Sequence, residues 1–397
     1  MANYKHQNAV DWFLGLVQTD SETFHETKVA EHIISEVKKR NWNCEIIRQK
    51  IDLKDIPANI RMRVPNADEL QGETENLFLV FPATDESKPT IFFSAHMDTV
   101  KPGNGCKPQF TEDGLIKTDG TTVLGADDKA GIAEALAGME LVLNENLPHG
   151  KVVMIFPAME EIGLVGSQMS DLSGLGLNYG YVLDMGDRIG TLVTRTLHTQ
   201  FVTIDLTYEG PKVHGAGAWG ENIFSYASEI VRMLPRGLHS EDRYASIGVN
   251  NMTFSKDEGY RVSNKATIKV NVASLYEEDM RLYIDIITSM LDHLKRDKLV
   301  ITYKVSPIPS LGYSIYDFGA KGEEIVAGAE KVLREMGIEP KHDKSRGGFD
   351  ANEYAKKDVA TLVLSCGFMG EHTTKEYIVE QDLHDGAEMV KRLILNA

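Results

Sequence analysis

The stretch Thr90-Ile91-Phe92-Phe93-Ser94-Ala95-His96-Met97-Asp98 decides the fold that this chain adopts. Its first part is a short apolar run between polar residues, which predicts a strand buried on both faces of a sheet. His96 and Asp98 end the stretch, and residues two apart on an extended chain point to the same side. Ligands of open α/β folds bind outside the carboxyl ends of the strands. The pair is therefore a candidate for metal binding, although an ordinary buried histidine beside a loop aspartate explains it better when it is taken alone.

Similar strand patterns recur along the chain and alternate with helical patterns. The apolar runs are NLFLVF (76–81), VVMIFPA (152–158), YVLDM (181–185) and VATLVLSCG (359–367). Apolar residues at helical spacing predict two helices in the first 40 residues and further helices over 127–143, 322–337 and 381–395. Such alternation predicts an α/β fold with helices on both sides of a mixed sheet.

Residues 195–308 have a different pattern. Strand-like alternation covers 199–210 and 262–274, helical patterns cover 222–233 and 277–295, and LVITYKV (299–305) is again strand-like. This β-α-β-β-α-β texture is that of a small split-βαβ, ferredoxin-like domain. The sequence therefore predicts one discontinuous α/β domain, 1–194 and 309–397, interrupted by an inserted α+β domain, 195–308.

Composition and charge exclude several classes of function. The 397 residues include 42 basic and 59 acidic residues, so the net charge is −17 and nucleic acid is not an expected partner. No apolar run approaches the roughly 18 residues of a membrane span, and the N-terminus does not resemble a secretory signal. The distant cysteines Cys44, Cys106 and Cys366 do not suggest a disulfide framework. We expect a cytoplasmic protein with no membrane partner.

Further polar residues lie where predicted strands end or helices begin. Asp127 lies in GADDKAG (125–131), where capping of the following helix is the competing interpretation. Glu160 and Glu161 follow a buried strand, and neighbouring carboxylates repel unless a cation or a shared proton relieves them. An exposed acidic turn is the alternative there. Asp184 ends YVLDM, where a turn is the alternative, and His372 follows the last predicted strand.

Taken together, these residues suit metal binding better than any of them does alone. All of them fall at strand ends or at a helix start of one predicted α/β domain. Two histidines with carboxylates between them form a ligand set for two zinc ions, which bind histidine nitrogen and carboxylate oxygen. No cysteine is placed to form a structural zinc cluster.

Five motifs carry a resemblance to a known family. HMD (96–98), GADDKAG (125–131), MEEIGLVGS (159–167), LDMGD (183–187) and GEHTTKE (370–376) occur in the order found in the co-catalytic di-zinc exopeptidases. The chain resembles this family, which includes peptidase T, aminoacylases and glutamate carboxypeptidases, over its whole length. GADDKAGIAE (125–134) and GGFDAN (347–352) are most similar to peptidase T and its relatives.

The resemblance implies a role for each candidate residue. It implies that His96 and Asp184 bind one zinc ion, that Glu161 and His372 bind the other, and that Asp127 bridges both. Asp98 would hydrogen-bond the ring of His96, and Glu160 would be the general base for the water that the two metals share. Two zinc ions per subunit are implied, and cobalt or manganese also enters carboxylate-rich sites.

The implied activity is hydrolysis of the N-terminal peptide bond of short peptides, as in a tripeptide aminopeptidase. The same metal site would equally serve an amidohydrolase or carboxypeptidase acting on N-acyl amino acids or glutamate amides. A third interpretation is a catalytically idle zinc-binding scaffold whose insert binds a partner. Glu160 argues against it, because an idle scaffold needs no base beside its metals.

Two further residues are candidates for substrate binding. His214 in GPKVHG (210–215) resembles a family histidine that helps to bind the developing oxyanion, often from the partner subunit. The resemblance thus implies a homodimer formed through the inserted lid domain, although a surface histidine in a turn is the alternative. Arg346 precedes two glycines and could hold a substrate carboxylate, or could be a solvated loop arginine. The chain departs from family patterns at 260–263 and 271–273, which affects substrate contacts rather than metal ligands.

Overall fold

The computed structural model describes residues 7–56, 74–211, 222–237, 243–255, 262–306, 312–345 and 347–397. They form two compact units, one comprising Met1–Thr194 with Ser314–Ala397 and the other comprising Arg195–Tyr313. The predicted second boundary at residue 309 lies outside the described residues. Among the helices that are described, none is long and apolar enough to cross a membrane.

The larger unit is built on an eight-stranded mixed sheet in the order β1-β2-β6-β3-β7-β14-β8-β13. These strands are β1 (Glu45–Ile51), β2 (Thr74–Phe81), β3 (Ile91–Ser94), β6 (Val152–Phe156), β7 (Tyr179–Met185), β8 (Thr191–Thr196), β13 (Lys341–Ser345) and β14 (Thr361–Ser365). A small second sheet has the order β15-β16-β5-β4, formed by β4 (Gln109–Phe110), β5 (Leu115–Lys117), β15 (Phe368–Met369) and β16 (Tyr377–Val379).

The helices of this unit are α1 (Gln7–Val17), α2 (Thr27–Lys39), α3 (Ala126–Asn144), α4 (Val165–Met169), α7 (Ala320–Glu335), α8 (Asp350–Ala355) and α9 (Glu380–Asn396). The predicted helices over 127–143, 322–337 and 381–395 are confirmed to within two residues at each end. No helical pattern predicted α8, because its six residues are too few to establish a period.

Helices cover both faces of the large sheet, as predicted. The ring of Phe92 on β3 packs edge-on against Tyr354 of α8, with the ring centroids 5.2 Å apart. Gly180 of β7 pairs with Phe92, and Leu183, three residues later, points to the opposite face. On that face α3 comes so close that a Cβ at Gly131 would lie 2.1 Å from the main-chain oxygen of Leu183. The small residue at this position therefore permits α3 to lie directly on the sheet.

Four central strands bring the candidate residues to one edge. β3 pairs in parallel with both β6 and β7, and β7 pairs in parallel with β14. Their carboxyl ends therefore lie at the same edge of the sheet. The chain leaves β3 towards His96, β6 towards Glu160, and β14 towards His372, while Asp184 is the next-to-last residue of β7.

The smaller unit has the predicted β-α-β-β-α-β order. Its elements are β9 (His198–Tyr208), α5 (Ile223–Met233), β10 (Ala245–Phe254), β11 (Lys265–Ser274), α6 (Glu277–His293) and β12 (Leu299–Val305). The antiparallel sheet has the order β10-β11-β9-β12. Inward-facing residues such as Val202, Ile204 and Ile268 form its core with Ile230 of α5 and Ile287 of α6. The split-βαβ fold class is confirmed.

Candidate metal centre

His96 lies at the centre of a group of buried carboxylates. Its Nε2 atom is 3.1 Å from Oδ1 of Asp127, 3.7 Å from Oδ1 of Asp184 and 4.0 Å from Oε2 of Glu160. The other ring nitrogen, Nδ1, lies 2.9 Å from the main-chain oxygen of Asp98. Because a carbonyl oxygen only accepts hydrogen bonds, Nδ1 carries a hydrogen. Nε2 is then the nitrogen that can bind a cation.

Asp127 faces two histidines at once. Its Oδ1 atom is 3.1 Å from Nε2 of His96, and its Oδ2 atom is 3.1 Å from Nε2 of His372. Capping of α3 does not explain this residue, because the helix is preceded by Gly125 at a φ of 73° and has no side-chain cap. The main chain at Asp127 is not helical. Its two carboxylate oxygens can therefore contact His96 and His372 at the same time.

Each half of the site has a further carboxylate. Oε2 of Glu161 lies 3.0 Å from Nε2 of His372, whose side chain is 54% exposed. Asp184 is buried on the His96 side. The structure therefore brings together all five residues that the resemblance implied as metal ligands.

Asp98 contacts both His96 and the segment that carries the two glutamates. Its Oδ1 atom lies 3.4 Å from Nδ1 of His96, the contact that the resemblance implied, and its main-chain oxygen lies closer to the same nitrogen, at 2.9 Å. The carboxylate also accepts hydrogen bonds from the main-chain N–H groups of Glu160 (2.9 Å) and Glu161 (3.3 Å). Thr23 donates its hydroxyl to Oδ2 at 2.8 Å.

Several buried residues that support the site were not singled out from the sequence. Asp128 accepts the N–H of His96 at 3.1 Å, and Glu26 accepts the N–H of Met159 at 3.1 Å. Glu376 accepts the main-chain N–H groups of Gly125 and Asp127. For Asp128 and Glu376, their places in GADDKAG and GEHTTKE were the available signals. No such signal marked Glu26.

The buried carboxylates around His96 repel one another, and a positive charge would relieve this repulsion. Burial raises the pKa of Glu160 and of Asp184 well above the ordinary carboxyl range, and neighbouring carboxylates raise it further. Hydrogen bonds to Asp127 and Glu161 raise the pKa of His372 to about 11. Burial alone would raise the pKa of Asp127, but hydrogen bonds from His372 and His96 lower it to about 2. Without cations, such a group stays together only by holding protons.

The donor set fits a pair of divalent cations. Oε1 of Glu161 is buried and has no hydrogen-bond partner among the residues that the structure describes, so an acceptor is left over beside His372. His96, Asp127 and Glu161 each offer a ligand atom, and these three atoms lie within 4.8 Å of one another. The same holds for His96, Asp128 and Asp184. Imidazole nitrogen and carboxylate oxygen are the ligands that catalytic zinc sites use.

The two predicted substrate-binding residues are not placed by the structure. His214 and Arg346 both lie outside the described residues. Their roles therefore stay predictions.

Known proteins resemble this chain over most of its length. Residues 92–396 match the family described as Peptidase family M20/M25/M40. The uncharacterized protein YqjE of Bacillus subtilis (strain 168) is 30% identical over 393 residues, which covers 97% of each chain. A peptidase T of Clostridium perfringens is 27% identical over 343 residues, which covers 78% of this chain and 82% of the relative. Among solved structures, the aminopeptidase PepT from Bacillus cereus ATCC 10987 has a TM-score of 0.79 at 28% identity and covers 99% of both chains.

These relatives support metal-dependent hydrolysis of the N-terminal peptide bond. The geometry agrees, because a histidine-carboxylate cluster that can hold metal lies at the carboxyl edge of the sheet. The chain therefore belongs to the peptidase family M20/M25/M40 and is a metallopeptidase.

Proposed function

We propose that this enzyme is a two-zinc aminopeptidase that removes the N-terminal residue of short peptides. The main support for this proposal is the position of Asp127 between two histidines. The two carboxylate oxygens of Asp127 lie 3.1 Å from Nε2 of His96 and 3.1 Å from Nε2 of His372, so one side chain joins two ligand groups. A single structural metal needs no such bridge.

Five side chains would hold the metals. His96 and Asp184 would bind one ion, Glu161 and His372 would bind the other, and Asp127 would bind both. Zinc is the ion best suited to this mixture of imidazole and carboxylate, and cobalt or manganese are alternatives that depend on availability. When bound, such a metal pair polarises the scissile carbonyl group and lowers the pKa of water.

Glu160 is the proposed general base. Its carboxylate is largely buried, lies 4.0 Å from Nε2 of His96 and is not needed as a metal ligand. Burial raises its pKa well above the ordinary value, and a bound metal pair would lower that pKa again, so that the carboxylate could ionise and accept a proton. It would take the proton of the attacking water and later deliver it to the leaving amine. The hydrogen bond from its main-chain N–H to Asp98 holds the base in place.

The enzyme would act at the amino end of its peptide substrate. The relatives named peptidase T and aminopeptidase PepT are 27–28% identical and cover most of this chain, which supports a substrate with a free amino end. His214 would assist at the oxyanion and Arg346 at a substrate carboxylate. Support for these two roles comes from the family motif and from the chemistry of arginine.

A further part of the proposal concerns the inserted unit, residues 195–308, as a lid and dimerisation domain within a cytoplasmic homodimer. It carries the exposed apolar side chains Phe224, Met252, Leu282 and Ile286, and β10 lies at the edge of its sheet. Exposed apolar groups and open strand edges favour association. Light scattering of the purified protein tests whether it forms a dimer. A strictly monomeric mass would contradict the proposed homodimer.

A substrate panel tests the function. Tripeptides, dipeptides, N-acetylated tripeptides and N-acetyl amino acids are incubated with zinc-loaded enzyme, and the released amino acids are identified. We expect release of the N-terminal residue from the free tripeptides and no turnover of their acetylated forms. Activity confined to the acylated compounds would replace the aminopeptidase proposal with a deacylase that uses the same metal site.

A further inference from the structure

Glu376 is a buried carboxylate that joins two loops of the candidate metal centre. Its side chain is 1% exposed. Oε2 accepts the main-chain N–H of Gly125 at 2.8 Å, and Oε1 accepts the main-chain N–H of Asp127 at 2.8 Å. Both carboxylate oxygens are thus used by the loop that leads into α3.

The hydrogen bonds to Glu376 hold the main chain before α3, which the hydrogen bonds of the helix itself do not hold. The first N–H groups of a helix have no acceptor within the helix. At Asp127 the backbone has φ −80° and ψ 101°, so the regular ladder of α3 begins only after this residue. Glu376 supplies the missing acceptors. The direction of the Asp127 side chain, and hence of its two oxygens, depends on a main chain that Glu376 holds.

The same residue anchors the turn that carries His372. His372 has a positive φ of 59° and an exposed side chain, so little packing holds it. The turn is closed by a hydrogen bond from the N–H of Glu376 to the main-chain oxygen of Thr373 at 3.1 Å. The hydroxyl of Thr373 also donates to the oxygen of Gly370 at 2.7 Å. Four residues beyond His372, Glu376 ties this turn to the Asp127 loop.

We propose that Glu376 is a positioning residue that holds Asp127 and His372 in register and so sets the affinity of the metal pair. The inference rests on the proposed metal site, but it assigns a role to a residue that touches neither substrate nor metal. Residues that orient metal ligands typically change metal affinity or activity by about 10–100-fold when they are replaced.

The test compares metal affinity with folding stability. Glu376→Gln keeps the size of the side chain and one acceptor oxygen, but it places an amide N–H₂ against a main-chain N–H. Glu376→Ala removes both acceptors. Metal-free proteins are titrated with zinc in competition with a chromophoric chelator, below the unfolding temperature of each variant. We expect zinc dissociation constants to rise by about 10-fold or more for Glu376→Gln and further for Glu376→Ala.

Glu140→Gln is the matched control. Glu140 is a largely buried carboxylate on the same helix, α3, and accepts hydrogen bonds from Asn8, Trp12 and Arg40. It lies 13 residues along the helix from Asp127, roughly 20 Å away. Its replacement should lower the unfolding temperature without changing zinc affinity.

Two results separate the possible failures. If Glu376→Gln and Glu376→Ala are destabilised but bind zinc within about twofold of the Glu140→Gln control, Glu376 is merely structural and the inference is wrong. If the unaltered protein binds no zinc, the proposed metal site itself fails. Should Glu376→Ala not fold, Glu376→Gln alone decides the question.

Discussion

The carboxylate of Asp98 accepts the main-chain N–H of Glu160 at 2.9 Å. This bond ties the segment after β3, which carries His96, to the segment after β6, which carries the proposed base. The neighbouring N–H of Glu161 reaches the same carboxylate at 3.3 Å. Asp98 therefore holds the main chain of the proposed base, Glu160, and of the proposed metal ligand, Glu161, which are both distant from it in sequence.

Glu160→Gln should remove turnover and leave the metals bound. The amide has nearly the same shape but cannot take a proton from water. General bases contribute about 10²–10⁴-fold, and kcat should fall by that order while zinc content stays unchanged. Metal analysis and peptide hydrolysis measure the two quantities. Glu161→Gln is the paired variant and should lose zinc as well. Normal turnover of Glu160→Gln would exclude Glu160 as the base.

Asp98→Asn should weaken both the loop and the metal site. Either orientation of the asparagine amide places an N–H₂ against a main-chain N–H, and an unsatisfied buried group costs about 1–3 kcal/mol. We expect weaker zinc binding and a lower unfolding temperature. Thr23→Val, which removes only the hydroxyl that donates to Oδ2, is the control and should have a smaller effect on both. Equal effects of the two substitutions would contradict the role given to the main-chain bonds.

Glu26 should make stability depend on pH. Burial, with a smaller contribution from Asp98, raises the pKa of Glu26 from 4.5 to about 8. A raised pKa means that the folded state binds the proton more tightly, so this stability is fully present below pH 4.5 and is lost as pH rises through 8. Glu26→Gln imitates the protonated acid. The unfolding temperature of metal-free Glu26→Gln, relative to the unaltered protein, should therefore increase between about pH 5 and pH 8.

Glu75→Gln is a suitable control for that comparison. Glu75 is also buried, but it is paired with Arg48. Its replacement should not give the variant a gain in relative stability as pH rises. If the difference between Glu26→Gln and the unaltered protein is constant across this pH range, Glu26 does not titrate as described.

Removal of the metals should abolish activity and lower the unfolding temperature. A ligand that binds only the folded state at 100 times its dissociation constant stabilises that state by about 2.7 kcal/mol. Dialysis against a chelator, followed by a calorimetric scan, should show this loss, and added zinc should restore both stability and turnover. Glu160→Gln is the informative comparison, because zinc should restore its stability without restoring turnover. Full activity of chelated enzyme would contradict a metal-dependent reaction.

The fold class and the five residues whose side chains cluster could be predicted from the sequence. Strongly apolar runs marked the central strands, and the polar residues at their ends identified His96, Asp184 and Glu161 as candidates. Parallel pairing of β3, β6, β7 and β14 explains why such distant residues meet. Five short motifs in a known order added the roles that spacing alone left open.

The supporting hydrogen bonds could not be predicted in the same way. Glu26, Asp98 and Glu376 each accept main-chain N–H groups of another segment. A main-chain donor leaves no mark in the amino-acid sequence, so only the three-dimensional structure shows which carboxylate it meets. The short helix α8 was missed for a local reason, since its six residues follow two glycines and show no periodicity.

Anomalous diffraction at the zinc absorption edge, from crystals grown with zinc, would locate the metal ions themselves. We expect two peaks, one beside His96 and Asp184 and one beside Glu161 and His372, with Asp127 contacting both. A single peak, or peaks away from Asp127, would contradict the proposed two-metal site.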